Sequence, residues 1–175
     1  AGGGVLLEDR RELEERLRET ESRFRTMADY APVLLWMAGT DAHCNFFNQT
    51  WLDFSGRSLE EEMGIGWAEG VHPEDFQGCM DTYVAAFNAR RAFKMEYRLR
   101  RHDGEYRWIL DEGVPRYTPN GTFAGYIGSC VDITERIEAE RLRPGLSARE
   151  LRTRLAERKL LRCELATAQG VSDRA

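Results

Sequence analysis

The chain has 175 residues, of which 31% are charged and 42% hydrophobic, and its formal net charge is −5. This length suits one ordinary domain with additional chain, and the apolar content permits a packed core. The negative charge disfavours nucleic-acid binding, and no apolar stretch approaches the roughly 20 residues that cross a bilayer. Four scattered cysteines without a CxxC spacing predict reduced thiols and a cytoplasmic location.

The first region, residues 1–29, is rich in Glu, Arg and Leu and is predicted to form an amphipathic helix. Its apolar residues follow a seven-residue repeat, interrupted by Arg10 and Thr20. Two interpretations stay open: a short two-stranded coiled coil, or a single helix lying on its own domain. The coiled coil would place Leu13, Leu17, Phe24 and Met27 in a dimer interface.

The second region, residues 30–134, carries most of the aromatic residues and turn signals and predicts an α+β domain. Two strands are followed by short helices and by a longer amphipathic helix that begins at Pro73. A hairpin at Asp103–Gly104 and an Asn120–Gly121 turn then join three strands as a meander. The first predicted elements are strands at 33–38 and 43–47 and helices at 48–54 and 58–63.

The third region, residues 135–175, is predicted to contain signalling helices or a linker. Asp132 or Thr134 is suited to cap a helix of about ten residues that ends near Pro144. The sequence SARE at 147–150 has the form of a capping box and predicts a second helix. This tail is basic, which suits a solvated helix better than a nucleic-acid or lipid surface, because no aromatic residues are interleaved with its charges.

Catalytic and metal-binding patterns are absent from the sequence. No nucleophile, base and orienting group are brought together, and the histidines and cysteines match no structural zinc spacing. His72 directly before Pro73 is better suited to the start of a helix. The chain is therefore predicted not to be an enzyme; the alternative is a small α+β enzyme with Asp111 as a base in an apolar cavity.

Three stretches resemble a PAS sensor domain followed by its PAC motif: WLDFSGRSLEEEMGIGWAEGVHPEDF, EYRLRRHDGEYRWIL and GYIGSCVDITER. The resemblance implies a five-stranded antiparallel sheet in the order 2-1-5-4-3, with short helices on one face and a helix flanking each end. It also implies a sensory, homodimeric module of a bacterial signalling protein. The effector of the same protein would be a histidine kinase, a cyclic-dinucleotide enzyme or a transcription regulator. The alternative is a purely structural dimer that relays signals without a ligand.

The resemblance also bears on the cofactor, which stays unknown. The two amides that contact flavin in the light-sensing branch are replaced here by Ile109 and Cys130, and the reactive-cysteine motif is missing, which argues against flavin. Haem stays an alternative through His72, just before the long helix, or through Cys79 within it, although a lone helical cysteine is more often a small core residue. The implied site is a pocket for a small molecule, lined by Tyr97, Leu99, Arg107, Ile109, Asp111, Gly128 and Cys130.

Strand alternation makes further predictions about the two sheet faces. Arg107 and Asp111 are expected to share the inner face, where they would pair with each other or hold a polar ligand. Trp108 and Leu110 are expected on the outer face, joined by Trp36, as a patch that the N-terminal helix or a partner covers. Asp132, Ile133 and Thr134 connect the last strand to the exit helix and are predicted to relay movement between them.

Overall fold

The computed structural model describes residues 3–142 and 152–153, and the chain divides into two compact units, 1–135 and 136–175. The elements in chain order are α1 (Gly3–Tyr30), β1 (Leu34–Ala38), β2 (Cys44–Phe47), α2 (Gln49–Ser55), α3 (Leu59–Glu62), a 3₁₀ turn (Gly66–Gly70), α4 (Pro73–Ala89), β3 (Phe93–Arg100), β4 (Tyr106–Tyr117), β5 (Phe123–Asp132) and α5 (Thr134–Leu142). The 3₁₀ turn was not predicted. The helix predicted from 147 onward lies outside the described residues, apart from 152–153.

All five strands form one antiparallel sheet in the order β2-β1-β5-β4-β3, which confirms the predicted topology. The long β3–β4 hairpin turns at Gly104, whose φ of +87° is favourable for glycine. β1 lies beside β5, so the first and last strands of the domain are hydrogen-bonded neighbours at the centre of the sheet. This arrangement places the start of α5 beside β4.

The helices of the domain begin and end at residues that satisfy their free backbone groups. Asn48 accepts a hydrogen bond from the amide of Trp51 at the start of α2, and Ser58 and Glu61 form a capping box on α3. His72 caps α4, because its Nδ1 accepts a hydrogen bond from the amide of Glu74. The predicted role of His72 as a helix-start residue is confirmed.

The hydrophobic core lies between the inner face of the sheet and helices α2 and α4. We predicted Trp36 on the outer face, and this prediction is wrong: the side chain is only 4% exposed and belongs to this core. On β1, Leu34, Trp36 and Ala38 are buried together, and Leu35 and Met37 face the other way. All five positions are apolar, so the sequence carries no alternation that reveals which set points inward.

The outer face of the sheet carries the half-buried side chains of Trp108 and Leu110, as predicted. The ring of Phe24 in α1 lies 5.4 Å from that of Phe46 on β2, so the end of α1 contacts the domain. The other predicted interface residues of α1 are exposed: Leu13 by 66%, Leu17 by 58% and Met27 by 75%. Among the described residues, no helix combines the length and apolar character that crossing a bilayer requires.

Candidate functional site

A small aromatic cavity lies between the sheet and the helices. Its free volume is about 10 Å³, which is room for one water molecule. Seven aromatic side chains fill most of the space around it, and one carboxylate, that of Asp111, reaches it. The lining residues are Trp36, Cys44, Phe47, Trp51, Trp67, Tyr83, Phe93, Met95, Tyr97 and Asp111.

Asp111 is the polar centre of this cavity and is only 3% exposed. Its Oδ1 accepts a hydrogen bond from the indole nitrogen of Trp36 at 3.0 Å, and its Oδ2 accepts one from the hydroxyl of Tyr97 at 3.0 Å. The thiol of Cys130 is a third neutral donor to the same carboxylate. The network therefore ties together strands β1, β3, β4 and β5.

Two glycines allow the Trp36 ring to reach Asp111, and no local pattern in the sequence predicts this role. A Cβ atom on Gly128 would lie 2.2 Å from the indole, and one on Gly113 would lie 2.4 Å from the ring of Phe93. The two glycines face each other across β4 and β5. Because neither glycine has a side chain, the Trp36 ring lies close against this part of the sheet and extends from β1 to β4.

Burial decides the charge states within the cavity. It raises the pKa of Asp111 to about 6, against the opposing effect of the hydrogen bonds from Trp36, Cys130 and Tyr97. Burial also raises the pKa of Tyr97 and Cys130 well above their ordinary values, and that of Cys79 to about 12. Tyr97, Cys130 and Cys79 therefore stay neutral at physiological pH, and none of the three is an activated nucleophile.

The predicted pocket residues separate into three groups. Tyr97 and Asp111 line the cavity, and Ile109 and Cys130 are fully buried on the same sheet face. Leu99 lies against Gly70 and lines a separate cavity of about 220 Å³. Gly128 contributes through its missing side chain.

The predicted pairing of Arg107 with Asp111 is wrong, because Arg107 pairs with Asp132. Its Nε lies 2.8 Å from Oδ2 of Asp132, and Arg107 is not among the residues that line the cavity. The antiparallel register explains this, because β4 places Ile109 opposite Asp132, and Arg107 lies near the end of β5. The arginine therefore belongs to the junction with the exit helix.

The junction between β5 and α5 is a compact hydrogen-bonded network. Asp132 Oδ1 accepts hydrogen bonds from the amide of Thr134 at 3.0 Å and from its hydroxyl at 2.6 Å. The Thr134 hydroxyl oxygen accepts a hydrogen bond from the amide of Trp108 at 2.9 Å, and the amide of Ile133 donates to the carbonyl of Trp108 at 2.8 Å. Strand β4 therefore holds both ends of the turn that begins α5.

A second buried polar cluster was missed by the sequence analysis. The carboxylate of Glu62, 2% exposed, accepts a hydrogen bond from the indole of Trp51 at 2.8 Å and pairs with Arg57. Arg57 also contacts the exposed Glu69 at 3.2 Å. This cluster fixes α2, α3 and the 3₁₀ turn beside the cavity. Among residues 3–142 and 152–153, no group of three His, Cys, Asp or Glu side chains is arranged to hold a metal ion.

Comparison with known proteins gives consistent similarities. Residues 45–130 match the family model described as the PAS fold. The chain is 41% identical over 137 residues to the uncharacterized protein y4lL of Sinorhizobium fredii, covering 78% of this chain and 17% of that protein. It is 29% identical to the peroxide stress-activated histidine kinase mak1 of Schizosaccharomyces pombe, covering 70% of this chain and 8% of the kinase.

Among solved structures, the PAS domain of a Colwellia psychrerythraea protein superimposes with a TM-score of 0.56 at 22% identity. The superposition covers 67% of this chain and 99% of that domain. At this identity the similarity concerns the fold. The chain spans less than a fifth of the length of the two curated relatives.

Proposed function

Because this chain contains a PAS domain, we propose that it is the sensory and dimerisation module of a bacterial signalling protein. It relays the state of a ligand or partner through its flanking helices to an effector in the same protein. The short share of each relative that the chain matches supports a module within a longer protein. The histidine kinase among those relatives supports a kinase as one effector, with a cyclic-dinucleotide enzyme or a transcription regulator as the others.

The junction of β5 and α5 is the observation that carries this proposal. Asp132 binds Arg107 of β4 and Thr134 of α5 at the same time. A shift of β4 relative to β5 would therefore change the hydrogen bonds that hold the first turn of α5. The sheet and the exit helix are thus coupled through few, identifiable contacts, as a two-state relay requires.

A relay without a small-molecule ligand is the second candidate, and the size of the cavity supports it. A free volume of about 10 Å³ leaves no room for a metabolite in this state. Mass spectrometry of the protein under native and denaturing conditions distinguishes the two candidates. A mass that is lost on denaturation supports a ligand sensor, and twice the chain mass with nothing bound supports the relay.

The enzymatic alternative has little support from the site. Asp111, the base it would require, is closed in by hydrogen-bond donors from Trp36 and Tyr97 and faces room for a single water. No nucleophile with a lowered pKa accompanies it in the cavity. We therefore propose a non-catalytic role.

The test of the proposed relay is Asp132→Ala in the full-length protein. We expect the effector output to lose its response to the stimulus, and amides 132–135 to exchange hydrogen faster, with the core unchanged. The matched control is Asp103→Ala, which removes an exposed aspartate that pairs with Arg101 in the hairpin. Normal signalling together with unchanged amide protection in Asp132→Ala would exclude the relay.

A further inference from the structure

The cavity contains a buried carboxylate without a cationic partner. The groups that hydrogen-bond to Asp111 are the neutral side chains of Trp36, Tyr97 and Cys130, and Arg107 is directed to Asp132 instead. Within the described part of the chain, no ion pair includes Asp111, and no Lys, Arg or His lines the cavity. An ionised carboxylate in this position is costly, and a cation that entered the cavity would offset that cost.

The walls of the cavity favour an organic cation over a hydrated metal ion. Tyr83 lies edge-on to both Trp36 and Trp67, with ring centroids 6.0 and 6.4 Å apart, so aromatic rings enclose the space on several sides. Trp51 and Phe93 complete the enclosure. Aromatic faces attract ammonium groups and cannot replace the oxygen ligands that hard metal ions need.

Met95 separates the cavity from an acidic surface groove. It lines both the cavity and a groove of about 370 Å³ that also includes Glu74, Asp75, Glu96 and Cys79. Met95 lies directly opposite Asp111 in the β3–β4 register and is half-buried. Methionine changes rotamer readily, so its movement would open a path between α4 and β3 from the groove to Asp111.

Charge along this path is suited to a cation. The carboxylates of Glu74 and Asp75 line the groove and share a single cationic partner, Arg98. The groove therefore keeps a net negative charge, which attracts cations to its mouth. The closed cavity has room for about one water, so a ligand of several heavy atoms requires Met95 to move outward.

We propose that the cavity binds a small organic ammonium ion, with its cationic group beside Asp111 and among the aromatic rings, and that Met95 gates its entry. The inference rests on the proposed sensory function, because it names the class of ligand that the sensor takes. A neutral apolar molecule of the same shape would fill the space but leave the carboxylate charge uncompensated. Charge selectivity is therefore the property that identifies the site.

The experiment compares choline with 3,3-dimethylbutan-1-ol, which has the same shape without the charge. Three of the four tryptophans line the cavity, so tryptophan fluorescence reports occupancy. At pH 7.5 we expect saturable binding of choline that is at least about 10-fold tighter than that of the alcohol. Equal affinities, or no saturable change with choline in either the unsubstituted protein or Met95→Ala, would overturn the proposal.

Variants separate the site from its surroundings. Asp111→Asn is expected to weaken choline by about 10-fold or more and to leave the alcohol unchanged. Met95→Ala should speed choline association, and Met63→Ala, at an exposed position directly after α3, should not. Where Asp111→Asn unfolds, Trp67→Leu replaces it and should weaken choline more than the alcohol. If Asp111→Asn, or Trp67→Leu in its place, weakens the binding of choline and of the alcohol equally, the proposal is overturned.

The choline experiment and the Asp132→Ala experiment test the ligand class and the relay separately. If choline fails to bind but Asp132→Ala still uncouples the effector, the ligand class is wrong and the sensory function stands. If choline binds with the expected selectivity but Asp132→Ala signals normally, the cavity is a binding site and the relay is wrong.

Discussion

Trp36 on β1 and Asp111 on β4 are joined by a 3.0 Å hydrogen bond that passes over the intervening strand β5. The indole reaches that far because Gly128, directly beneath it, has no side chain. One bond thus connects the sheet centre to the strand that carries the junction with α5. It also fixes the only charged group of the cavity lining in place.

Gly128→Ala is expected to lower the free energy of unfolding by about 2–3 kcal/mol, because the new methyl group overlaps the Trp36 ring. Urea denaturation measures the change. The matched control is Gly78→Ala on α4, where nothing lies within 4 Å of the added atom. It should be neutral or stabilising by up to about 1 kcal/mol, since alanine favours helix. Similar costs at both positions would show that the Trp36 ring does not depend on the missing side chain of Gly128.

Asp111→Asn should change how stability depends on pH. The folded-state pKa of Asp111 is about 6 against an ordinary 3.8. Its contribution is therefore fully present below pH 3.8 and lost as pH rises through 6, at a cost of up to about 3 kcal/mol. We expect the variant to lack this loss between pH 4 and 6, and so to gain stability relative to the unsubstituted protein at pH 8.

The assignment of that pH dependence is simplified by the neighbours of Asp111. The titratable groups that face it are Tyr97 of β3, Cys130 of β5, Cys79 of α4 and Cys44 of β2, all with pKa values raised by burial. They stay neutral between pH 4 and 8. Glu112, adjacent on β4, is exposed and adds a charge repulsion. Parallel curves for the two proteins would show that Asp111 does not titrate in this range.

Thr134→Val should destabilise the junction by about 1–2 kcal/mol, because the amide of Trp108 loses its acceptor. Hydrogen exchange at the Trp108 amide is expected to become faster than at its neighbours in β4. The control is Thr82→Val on α4, whose hydroxyl donates only to a carbonyl of its own helix. No change at Trp108 would show that the Thr134 hydroxyl does not hold β4 to α5.

Glu62→Gln is expected to cost about 3 kcal/mol, since it leaves the half-buried charge of Arg57 without its main partner. The double substitution Arg57→Met with Glu62→Leu should recover most of the loss. Glu69→Gln, at the exposed end of the same arginine, should change stability by less than about 1 kcal/mol. A single-variant cost as small as that of Glu69→Gln would contradict a structural role for the pair.

Leu17→Glu tests the proposed dimer. Leu13 and Leu17 are more than half exposed on α1, and we propose that a second copy covers them. The substitution should shift the mass in analytical ultracentrifugation from two chains to one. Arg18→Glu, one position outside the apolar stripe, should leave it unchanged. A monomer in the unsubstituted protein would exclude this interface.

Local patterns in the sequence determined the order of the elements. Proline at the first turn of α4, the Asp103–Gly104 hinge and the alternation of β3 each act over a few residues, so they can be interpreted without knowledge of the rest. The resemblance to PAS domains then supplied the strand order, which the sheet confirms.

The tertiary structure decided which of these residues meet. β1 is apolar on both faces, so only the packing of the domain shows that Trp36 points inward. Arg107 pairs with Asp132, 25 positions away, because the β4–β5 register brings them together. Gly113 and Gly128 matter for the atoms they lack, which no local pattern reveals. The conformational preferences of residues close in the chain thus determine the helices and strands. The register between strands and the packing of side chains determine the site.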